Sequence, residues 1–341
     1  MRRELVCTEA ASPPHLLVRT VQRPRPGATE VLVRVEATSV NPIDAKRAEG
    51  YGRRLLGLKG AGRFPLVLGN DVAGVVEAVG AGARGFAPGQ RVFGLIGTGR
   101  AGGAHASHVV VPEKQLLPAA DGADSHALAV LPYSFTTAWL ALRGIGIGAH
   151  NMRGMKVLIH GATGGLGRLA MQVLQPGGSR ITAICGKGQC QAALDLGAEV
   201  AVERGPACIP SLPSDFDAIL NFAAWDDDAL LASRLGPRAL GQATTVHPLL
   251  AHFDRRGWPG GAWACLRDRR HVRAIVTSRA PRARYGWVVF RPDLQALSVL
   301  GQMVHAGSVS LPVGICTSFD NAIAAFDHVC AGRPGRALLW P

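Results

Sequence analysis

Residues 156–167, KVLIHGATGGLG, join a short apolar run to a loop that holds four glycines. Apolar residues at helical spacing follow at Leu169, Ala170, Val173 and Leu174. A strand, a glycine-rich turn and a helix in this order suit a dinucleotide pyrophosphate. The glycines let the backbone approach the phosphates, and the helix N-terminus offers free N–H groups. We therefore predict a dinucleotide site, with a tight strand–helix turn that binds no ligand as the alternative.

The residues expected to contact the phosphates are Gly161, Thr163, Gly164, Gly165, Leu166 and Gly167. The next strand, residues 180–185, ends at Cys185 and is followed by Lys187, where an NAD site usually has Asp or Glu. Arg204, after the strand-like residues 199–202, is a second cation that could reach the same place. Two cations without a carboxylate favour a 2′-phosphate, so we predict NADPH as the cofactor. The alternative is that both are ordinary solvated loop charges.

Length and composition predict a globular protein of two domains. The chain has 341 residues, 48% of them hydrophobic, and a mean hydropathy of +0.16. We find no uninterrupted apolar run of about 18 residues, and residues 1–6 already read as a strand. We therefore expect no membrane span, no signal peptide and a cytoplasmic protein. The seven cysteines have no metal-finger spacing and are expected to be reduced.

The net charge of +13 comes almost wholly from arginine, because lysine occurs five times. The densest basic cluster, residues 267–273, lies between apolar segments and contains an acid. The chain has no separate basic tail and no recognised nucleic-acid motif. We therefore expect no nucleic-acid partner, and we attribute the charge to a compositional bias toward arginine.

The rhythm of predicted elements changes near residue 125. Before it, short strands separated by Gly/Pro turns, among them residues 31–37, 72–79, 91–95 and 108–112, indicate an antiparallel, partly closed β unit. After it, a helix at 128–142 precedes strands that alternate with helices. These strands are predicted at 156–160, 181–185, 200–202, 218–222, 243–246 and 272–277. That alternation predicts a doubly wound parallel sheet. The last segment is expected to complete the β unit, which gives one domain of residues 1–124 and 307–341 and another of residues 125–306.

Several further motifs support a family resemblance: SVNPID at 39–44, PLVLGNDVAGVV at 65–76, GQRV at 89–92 and TAW at 137–139. With the glycine loop, they make the chain resemble the medium-chain dehydrogenase/reductase superfamily, and within it the zinc-free, zeta-crystallin-type NADPH:quinone oxidoreductases. Residues 253–257 and 284–287 are similar to the reticulon-interacting oxidoreductase branch. The resemblance implies an α/β fold, with a GroES-like partly closed β-barrel domain and a Rossmann domain that binds NADPH.

The resemblance also bears on zinc. Zinc alcohol dehydrogenases have a cysteine where this chain has Asn41, and Gly-His-Glu at residues 69–71, where this chain has Gly-Asn-Asp. The close pair His105 and His108 lies on a strand-like segment, where a spacing of three directs side chains to opposite faces. Catalytic zinc needs three ligands drawn mainly from Cys, His and carboxylate. We therefore predict no metal site.

In relatives, the groups that polarise the substrate come from the segment after the first strands, which implies catalytic roles for Asn41, Asp44 and Tyr51. Asn41 would donate its amide N–H to a carbonyl oxygen. Asp44 would orient that amide group, or a ring hydroxyl, through a hydrogen bond, and Tyr51 would supply a proton. The alternatives are that Asn41 forms a turn before a helix, that Asp44 is a charge at a helix N-terminus, and that Tyr51 is an aromatic residue in the wall of the cleft. Further cofactor contacts implied by the resemblance are Thr137, Asn221, Phe290, Arg291 and Arg333, with Arg336 as an alternative to Arg333.

Without zinc, a conjugated acceptor suits hydride transfer best, because its charge spreads onto oxygen as hydride arrives. We predict an NADPH-dependent reductase whose small-molecule substrate is a quinone or another conjugated carbonyl. Reduction of the C=C bond of an enone or enoyl thioester is the alternative. A non-catalytic NADPH-binding redox sensor or RNA-binding module is the rival class. Relatives commonly dimerise, so a homodimer through a sheet edge at residues 262–276 is expected, with an internal strand there as the alternative.

Overall fold

The computed structural model describes residues 1–97 and 102–341. Its strands are β1 (Arg2–Cys7), β2 (Leu16–Val21), β3 (Glu30–Val40), β4 (Leu66–Val67), β5 (Asp71–Val79), β6 (Arg91–Leu95), β7 (His108–Pro112), β8 (Leu116–Pro118), β9 (Lys156–His160), β10 (Arg180–Cys185), β11 (Val200–Glu203), β12 (Ala218–Asn221), β13 (Gly241–Thr244), β14 (Arg284–Trp287), β15 (Val313–Ser318) and β16 (Arg336–Trp340). Its helices are α1 (Pro42–Ala48), α2 (Arg53–Gly57), α3 (Ser125–Leu128), α4 (Pro132–Gly144), α5 (Gly165–Leu174), α6 (Cys190–Asp195), α7 (Cys208–Ser211), α8 (Asp228–Ala232), α9 (Leu249–Arg279), α10 (Leu294–His305) and α11 (Ala322–Cys330). None of the helices in these ranges has the length and apolar character that a membrane crossing needs.

The residues group into two compact units, one of residues 1–136 and 291–341 and one of residues 137–290. The sequence analysis places the boundaries at 124/125 and 306/307 instead. The difference arises from α3 and α10. Helix α3 packs on β3 and β5, and Ser125 Oγ donates to Glu36 Oε2 at 2.7 Å. Helix α10 packs against β8. Both helices therefore belong to the unit that contains these strands.

Residues 137–290 form a six-stranded sheet of wholly parallel strands in the order β11-β10-β9-β12-β13-β14. Val157, Leu158 and Ile159 of β9 are fully buried, as an apolar strand covered on both faces should be. The strand order reverses between β9 and β12, so their carboxyl ends flank the topological switch point, where ligands bind in open α/β sheets. The predicted doubly wound sheet is confirmed.

The predicted strand at residues 272–277 is wrong, because these residues lie within helix α9 and the sixth strand is β14. Val272 and Val276 are buried four residues apart, and Ile275 packs against the same core. That spacing is helical, although the residues are β-branched. Residues 262–276 are therefore not a sheet edge, and β14 ends the sheet on that side. The homodimer stays a prediction.

The first unit is built around the long strand β3, which pairs antiparallel with β5, β7 and β16. Irregularities in its pairing with β5, at Leu32/Val33 and Val35/Ala37, are of the kind that bends a sheet. The larger sheet runs β15-β16-β3-β5-β6-β8, and β2-β1-β4 form a smaller one. The GroES-like part of the predicted fold class is confirmed.

Candidate active site

The glycine-rich loop connects β9 to α5 in the second unit. Gly161 has a φ of 84°, and a Cβ there would lie 3.1 Å from the Ala223 Cβ. A Cβ on Gly167 would lie 2.3 Å from the Gly161 carbonyl oxygen. These two positions therefore require glycine for backbone conformation and for close helix–strand packing. Thr163 is the last loop residue before Gly164, and its carbonyl oxygen accepts from Arg168 Nε at 2.9 Å.

Helix α5 starts at Gly165, and its N-cap residue, Gly164, has no side chain that could cap this end. The backbone N–H of Arg168 donates to the Gly164 carbonyl at 2.9 Å. The N–H groups of Gly165, Leu166 and Gly167 precede that bond, at the positions where a helix leaves its amides without helical partners. The predicted phosphate-binding residues therefore form one uncapped helix start at the switch point, which suits an anionic group.

The side chains of His160 and Asn221 meet at the carboxyl ends of β9 and β12. His160 Nδ1 donates to Asn221 Oδ1 at 3.1 Å, and Asn221 Nδ2 donates to Asp228 Oδ1 at 2.8 Å. His160 Nε2 lies 3.4 Å from Asp227 Oδ2 but makes no hydrogen bond among the described residues. Burial lowers the pKa of His160, so a neutral imidazole is favoured. Asn221 thus connects His160 to Asp228 at the switch point.

This buried network continues to Tyr285 and Trp287 on β14. The Tyr285 hydroxyl donates to Asp228 Oδ2 at 2.5 Å and accepts from Trp287 Nε1 at 2.9 Å. Burial raises the pKa of both Asp228 and Tyr285. Asp228 was not predicted to belong to this network. Its signal was the combination of three successive aspartates after β12 with the Arg-Tyr-Gly-Trp motif of β14.

Cys185, Lys187 and Arg204 lie at the same edge of the parallel sheet. The Arg204 backbone N–H donates to the Cys185 carbonyl at 2.8 Å, and Lys187 is exposed in the turn after β10. Two carboxylates also lie at this edge. Arg204 Nη2 donates to Asp227 Oδ2 at 3.1 Å, and Glu203 Oε1 accepts from the Gly188 N–H at 2.7 Å. Neither acid was predicted there, because Asp227 follows a different strand and Glu203 lies between the predicted strand residues 199–202 and Arg204.

The other predicted cofactor residues lie on different elements. Thr137 is a buried residue of α4, and Phe290 is half-buried after β14. Arg291 is exposed at the first residue of the returning segment of the first unit. Arg333 is exposed in the turn between α11 and β16. The contacts of these four residues with a cofactor stay predictions.

In the first unit, Asn41 is the centre of a buried polar cluster. Its Nδ2 donates to Ser39 Oγ and to Asp71 Oδ2, each at 2.9 Å, and its Oδ1 accepts from Arg336. Both amide hydrogens are therefore used inside the protein. The Tyr133 N–H donates to the other Asp71 oxygen at 2.6 Å. The residues meet because β3, β5 and β16 are neighbours in the bent sheet.

Charge inside this cluster is balanced between Asp71 and Arg336. Burial raises the pKa of Asp71, which the hydrogen bonds from Ser39 and Asn41 oppose. Burial likewise lowers the pKa of Arg336, and the charges of Asp71 and Asp44 oppose that shift. Arg336 was named in the sequence analysis only as an alternative cofactor contact. Arg336 and Asn41 are 295 residues apart in the chain, so no local pattern predicts their contact.

Asp44 ties the start of α1 to the loop before β5. Its Oδ2 accepts from the Asn41 N–H and its Oδ1 from the Gly69 N–H, both at 2.9 Å. The carboxylate thus sits in the first turn of α1, where a negative charge stabilises a helix. Asn41 and Asp44 are brought together as expected, with Asp44 bonded to the backbone of Asn41 and not to its amide group.

Tyr51 is half-buried in the turn between α1 and α2. Its backbone N–H donates to the Lys46 carbonyl at 2.9 Å, and Lys46 Nζ lies 5.7 Å from the centre of its ring. The Tyr51 ring is thus held beside the last turn of α1. Its role as a proton donor stays a prediction.

His105 and His108 contact different groups. His105 is buried with Nε2 3.0 Å from the Ser39 carbonyl, and His108 Nε2 lies 2.9 Å from Glu77 Oε2. Burial lowers the pKa of both imidazoles. Across residues 1–97 and 102–341, no three His, Cys, Asp or Glu side chains are grouped so that they could hold a metal ion.

Comparison with known proteins supports the resemblance. Residues 27–121 match the family model of the alcohol dehydrogenase GroES-like domain. The chain is 30% identical over 321 residues to the mitochondrial reticulon-4-interacting protein 1 of Caenorhabditis elegans, which covers 89% of this chain and 85% of that one. It is 30% identical to the mitochondrial NAD(P)H oxidoreductase RTN4IP1 of Danio rerio (89% and 81% covered). It is 32% identical to the chloroplastic quinone-oxidoreductase QR1 of Triphysaria versicolor (59% and 61% covered).

The predicted cytoplasmic location is wrong by this comparison. The RTN4IP1 relatives that match most of the chain are named as mitochondrial proteins. Among solved structures, the quinone oxidoreductase of Coxiella burnetii superposes with a TM-score of 0.81 at 19% identity, covering 100% of this chain and 99% of that one. The chain belongs to the zinc-free, quinone-oxidoreductase type of the medium-chain dehydrogenase/reductase superfamily, together with the RTN4IP1 oxidoreductases.

Proposed function

We propose that the protein is an NADPH-dependent, zinc-independent reductase of quinones. The observation that carries the proposal is the buried cluster of Asn41, Asp71 and Arg336, in which Asn41 stands where zinc dehydrogenases carry a cysteine and accepts a hydrogen bond from Arg336. A guanidinium group only donates hydrogen bonds and its charge repels a metal ion, and an amide is a poor zinc ligand. The donor set therefore does not fit zinc. The relatives named as an NAD(P)H oxidoreductase and a quinone-oxidoreductase also support the proposal.

The glycine loop fits the pyrophosphate of the cofactor. Gly164, Gly165 and Leu166 would face the phosphates from the uncapped start of α5, and the close packing at Gly161 and Gly167 would hold that helix start in place. When bound, NADPH supplies the hydride from its nicotinamide ring. The protein's part is to bind the cofactor, orient it and exclude water.

The energy of the Arg204–Asp227 pair, compared with that of a hydrogen bond from Arg204 to a 2′-phosphate, favours NADPH over NADH. Arg204 is bonded to Asp227, but their side chains are 51% and 26% exposed. Exposed pairs of this kind contribute only about 0–1 kcal/mol. A charge-assisted hydrogen bond to a 2′-phosphate contributes about 1.5–3 kcal/mol. Exchanging Asp227 for the phosphate therefore remains favourable, and the exposed Lys187 adds a second cation.

Quinones fit a site without a Lewis acid. Hydride transfer to a conjugated carbonyl spreads negative charge onto oxygen, where hydrogen-bond donors and solvent protons can stabilise it. Oxidation of a simple alcohol would need a metal or a strong base. The reduced oxygens of a quinone can take protons from water, so the reaction does not depend on a single acidic side chain.

The bonds of Asn41 give it a positioning role in this proposal. Both hydrogens of its amide group are given to Ser39 and Asp71, and its oxygen is taken by Arg336. Asn41 and Asp44 would therefore fix the shape of the substrate region, and Tyr51 remains the candidate that contacts substrate.

The test combines a substrate panel with two glycine variants. Purified protein is assayed for NADPH oxidation with quinones, enones and enoyl thioesters, and the products are identified. We expect quinols. Saturated carbonyl products would identify the C=C reductase, and NADPH binding without oxidation of any acceptor would identify a sensor; either result refutes the proposal.

Gly164→Ala tests the cofactor site. Among the described residues outside its immediate neighbours, a Cβ there would meet the Gly161 oxygen at 3.4 Å, so the fold should tolerate it. It should weaken NADPH at least about tenfold, roughly 1.4 kcal/mol, by crowding the phosphates. Gly144→Ala is the matched control and should leave binding unchanged, because outside its own helix no described residue lies within 4 Å of the added Cβ. Equal affinities would exclude the loop as the phosphate site.

A further inference from the structure

The second half of α9 carries basic and large apolar side chains on one exposed side. The helix is broken at Gly257, whose φ is 69°, and continues to Arg279. At about 100° per residue, one side of this continuation carries five exposed residues that are either basic or large and apolar. We call them the outer face of α9: Trp263, Leu266, Arg267, Arg270 and Arg273.

The opposite side of the same helix is the one that holds it to the protein. Gly261, Ala264, Val272 and Val276 are buried against the second unit. On the outer face, by contrast, Trp263 is 59% exposed and Leu266 is 47% exposed. Large apolar side chains exposed together are a feature of interaction surfaces.

The outer face also carries a strong positive charge. Arg267, Arg270 and Arg273 lie on it, and Arg269 is exposed beside it. Asp268 is the one acid between residues 258 and 279, and it is neutralised by Arg267 at 2.6 Å and contacts His252 at 2.7 Å. Arg267 also lies over the Trp263 ring, 5.4 Å from its centre. The occupant of this face must therefore be anionic and able to accept apolar side chains.

Two occupants fit poorly. A second copy in a two-fold contact would set these arginines against the same arginines, and like charges in one interface are costly. A nucleic acid would use the arginines and stack on Trp263, but it offers no partner to the exposed aliphatic side chain of Leu266. An anionic bilayer satisfies all of them. Its headgroups attract arginine, and its interface accepts both Trp and Leu.

We propose that the outer face of α9 binds the surface of membranes that contain anionic phospholipids. The helix lies along the surface, with Trp263 and Leu266 entering the headgroup region and the arginines contacting phosphates. This inference does not rest on the proposed function, because it uses only residues of α9.

The test measures flotation of the full chain with vesicles of phosphatidylcholine, either alone or mixed with phosphatidylglycerol. We expect binding only to the mixed vesicles, weakened by added salt. The variant R267Q/R270Q/R273Q should bind on the order of a hundredfold more weakly, since each arginine near an anionic surface contributes about fivefold. The control R25Q/R84Q/R153Q removes the same number of charges from exposed positions outside α9 and should bind like wild type.

Insertion is measured by quenching of tryptophan emission with brominated acyl chains, which should be reduced in Trp263→Phe. Equal losses in the two triple variants would mean that net charge alone drives binding and would overturn the proposal. So would an absence of binding to the mixed vesicles. Binding of a single-stranded RNA oligonucleotide through the same three arginines, without vesicle binding, would overturn it in favour of a nucleic acid.

Discussion

Cofactor choice should be most sensitive to Arg204, whose side chain donates to Asp227 and is expected to contact the 2′-phosphate. Arg204→Ala removes one charge-assisted hydrogen bond from the phosphate, which contributes about 1.5–3 kcal/mol. NADPH should therefore bind about ten to a hundred times more weakly. NADH has no 2′-phosphate, so its dissociation constant should stay within about twofold of the wild-type value.

Asp227→Asn should have the opposite effect and strengthen the binding of NADPH. The substitution keeps the size of the side chain but removes the carboxylate that holds Arg204 at 3.1 Å and would repel the phosphate. Because the pair is exposed, its loss is limited to about 1 kcal/mol, so NADPH should bind up to about fivefold more tightly. NADH binding should again change little.

The assay is titration of each protein with NADPH and NADH by isothermal calorimetry or cofactor fluorescence at fixed ionic strength. Arg234→Ala is the control for loss of charge, because among the described residues the Arg234 side chain bonds to the Pro210 and Leu212 carbonyls and to Ser233. The reasoning is refuted if Arg204→Ala weakens both cofactors equally, or if the wild type binds NADPH and NADH with the same affinity.

Three further predictions concern the polar clusters and Tyr51. Tyr51→Phe should lower kcat by about 10²–10⁴-fold on any enone that is turned over and much less on a quinone. Rates unchanged from wild type on both substrates would leave Tyr51 without a role in proton transfer. Asn41→Ala should lower the free energy of unfolding by about 1–3 kcal/mol, measured in urea, because Arg336 and Asp71 lose a buried partner; an unchanged midpoint would contradict the cluster. Burial holds the pKa of His160 below its ordinary 6.5, so its contribution to stability is present above pH 6.5 and is lost as the pH falls through the lowered value. His160→Gln should flatten that part of the stability–pH curve, and a curve identical to wild type would contradict the assignment.

The parallel sheet and its nucleotide loop were predictable because their signals are local. Residues 156–167 contain the strand, the glycines and the start of the helix in one continuous stretch. Three of the other predicted strands of this sheet match observed ones to within one residue at each end, and the prediction at 243–246 overlaps β13 at two residues. The error at residues 272–277 has a physical cause. β-branched residues favour strands on average, but here Val272, Ile275 and Val276 bury one side of a helix, and tertiary packing outweighs propensity.

The polar clusters were not predictable, because their members are far apart in the chain. Asn41 was identified as important by resemblance, yet its contacts with Asp71 and Arg336 exist only when β3, β5 and β16 are side by side. In the same way, Asp227 reaches Arg204 across two strand ends. Such contacts depend on topology, which residue spacing along the chain does not specify.

The central claim, that NADPH reduces quinones in this protein without zinc, is tested most directly by one kinetic measurement. Chelator-treated protein is given a quinone with NADPH or with NADPH that carries deuterium at the transferred position of C4, and the rate of cofactor oxidation is followed. We predict undiminished activity after chelation, and slower oxidation of the deuterated cofactor if hydride transfer limits the single-turnover rate. Activity that is lost on chelation and restored by zinc would contradict the account, as would bound NADPH that is not oxidised by any quinone.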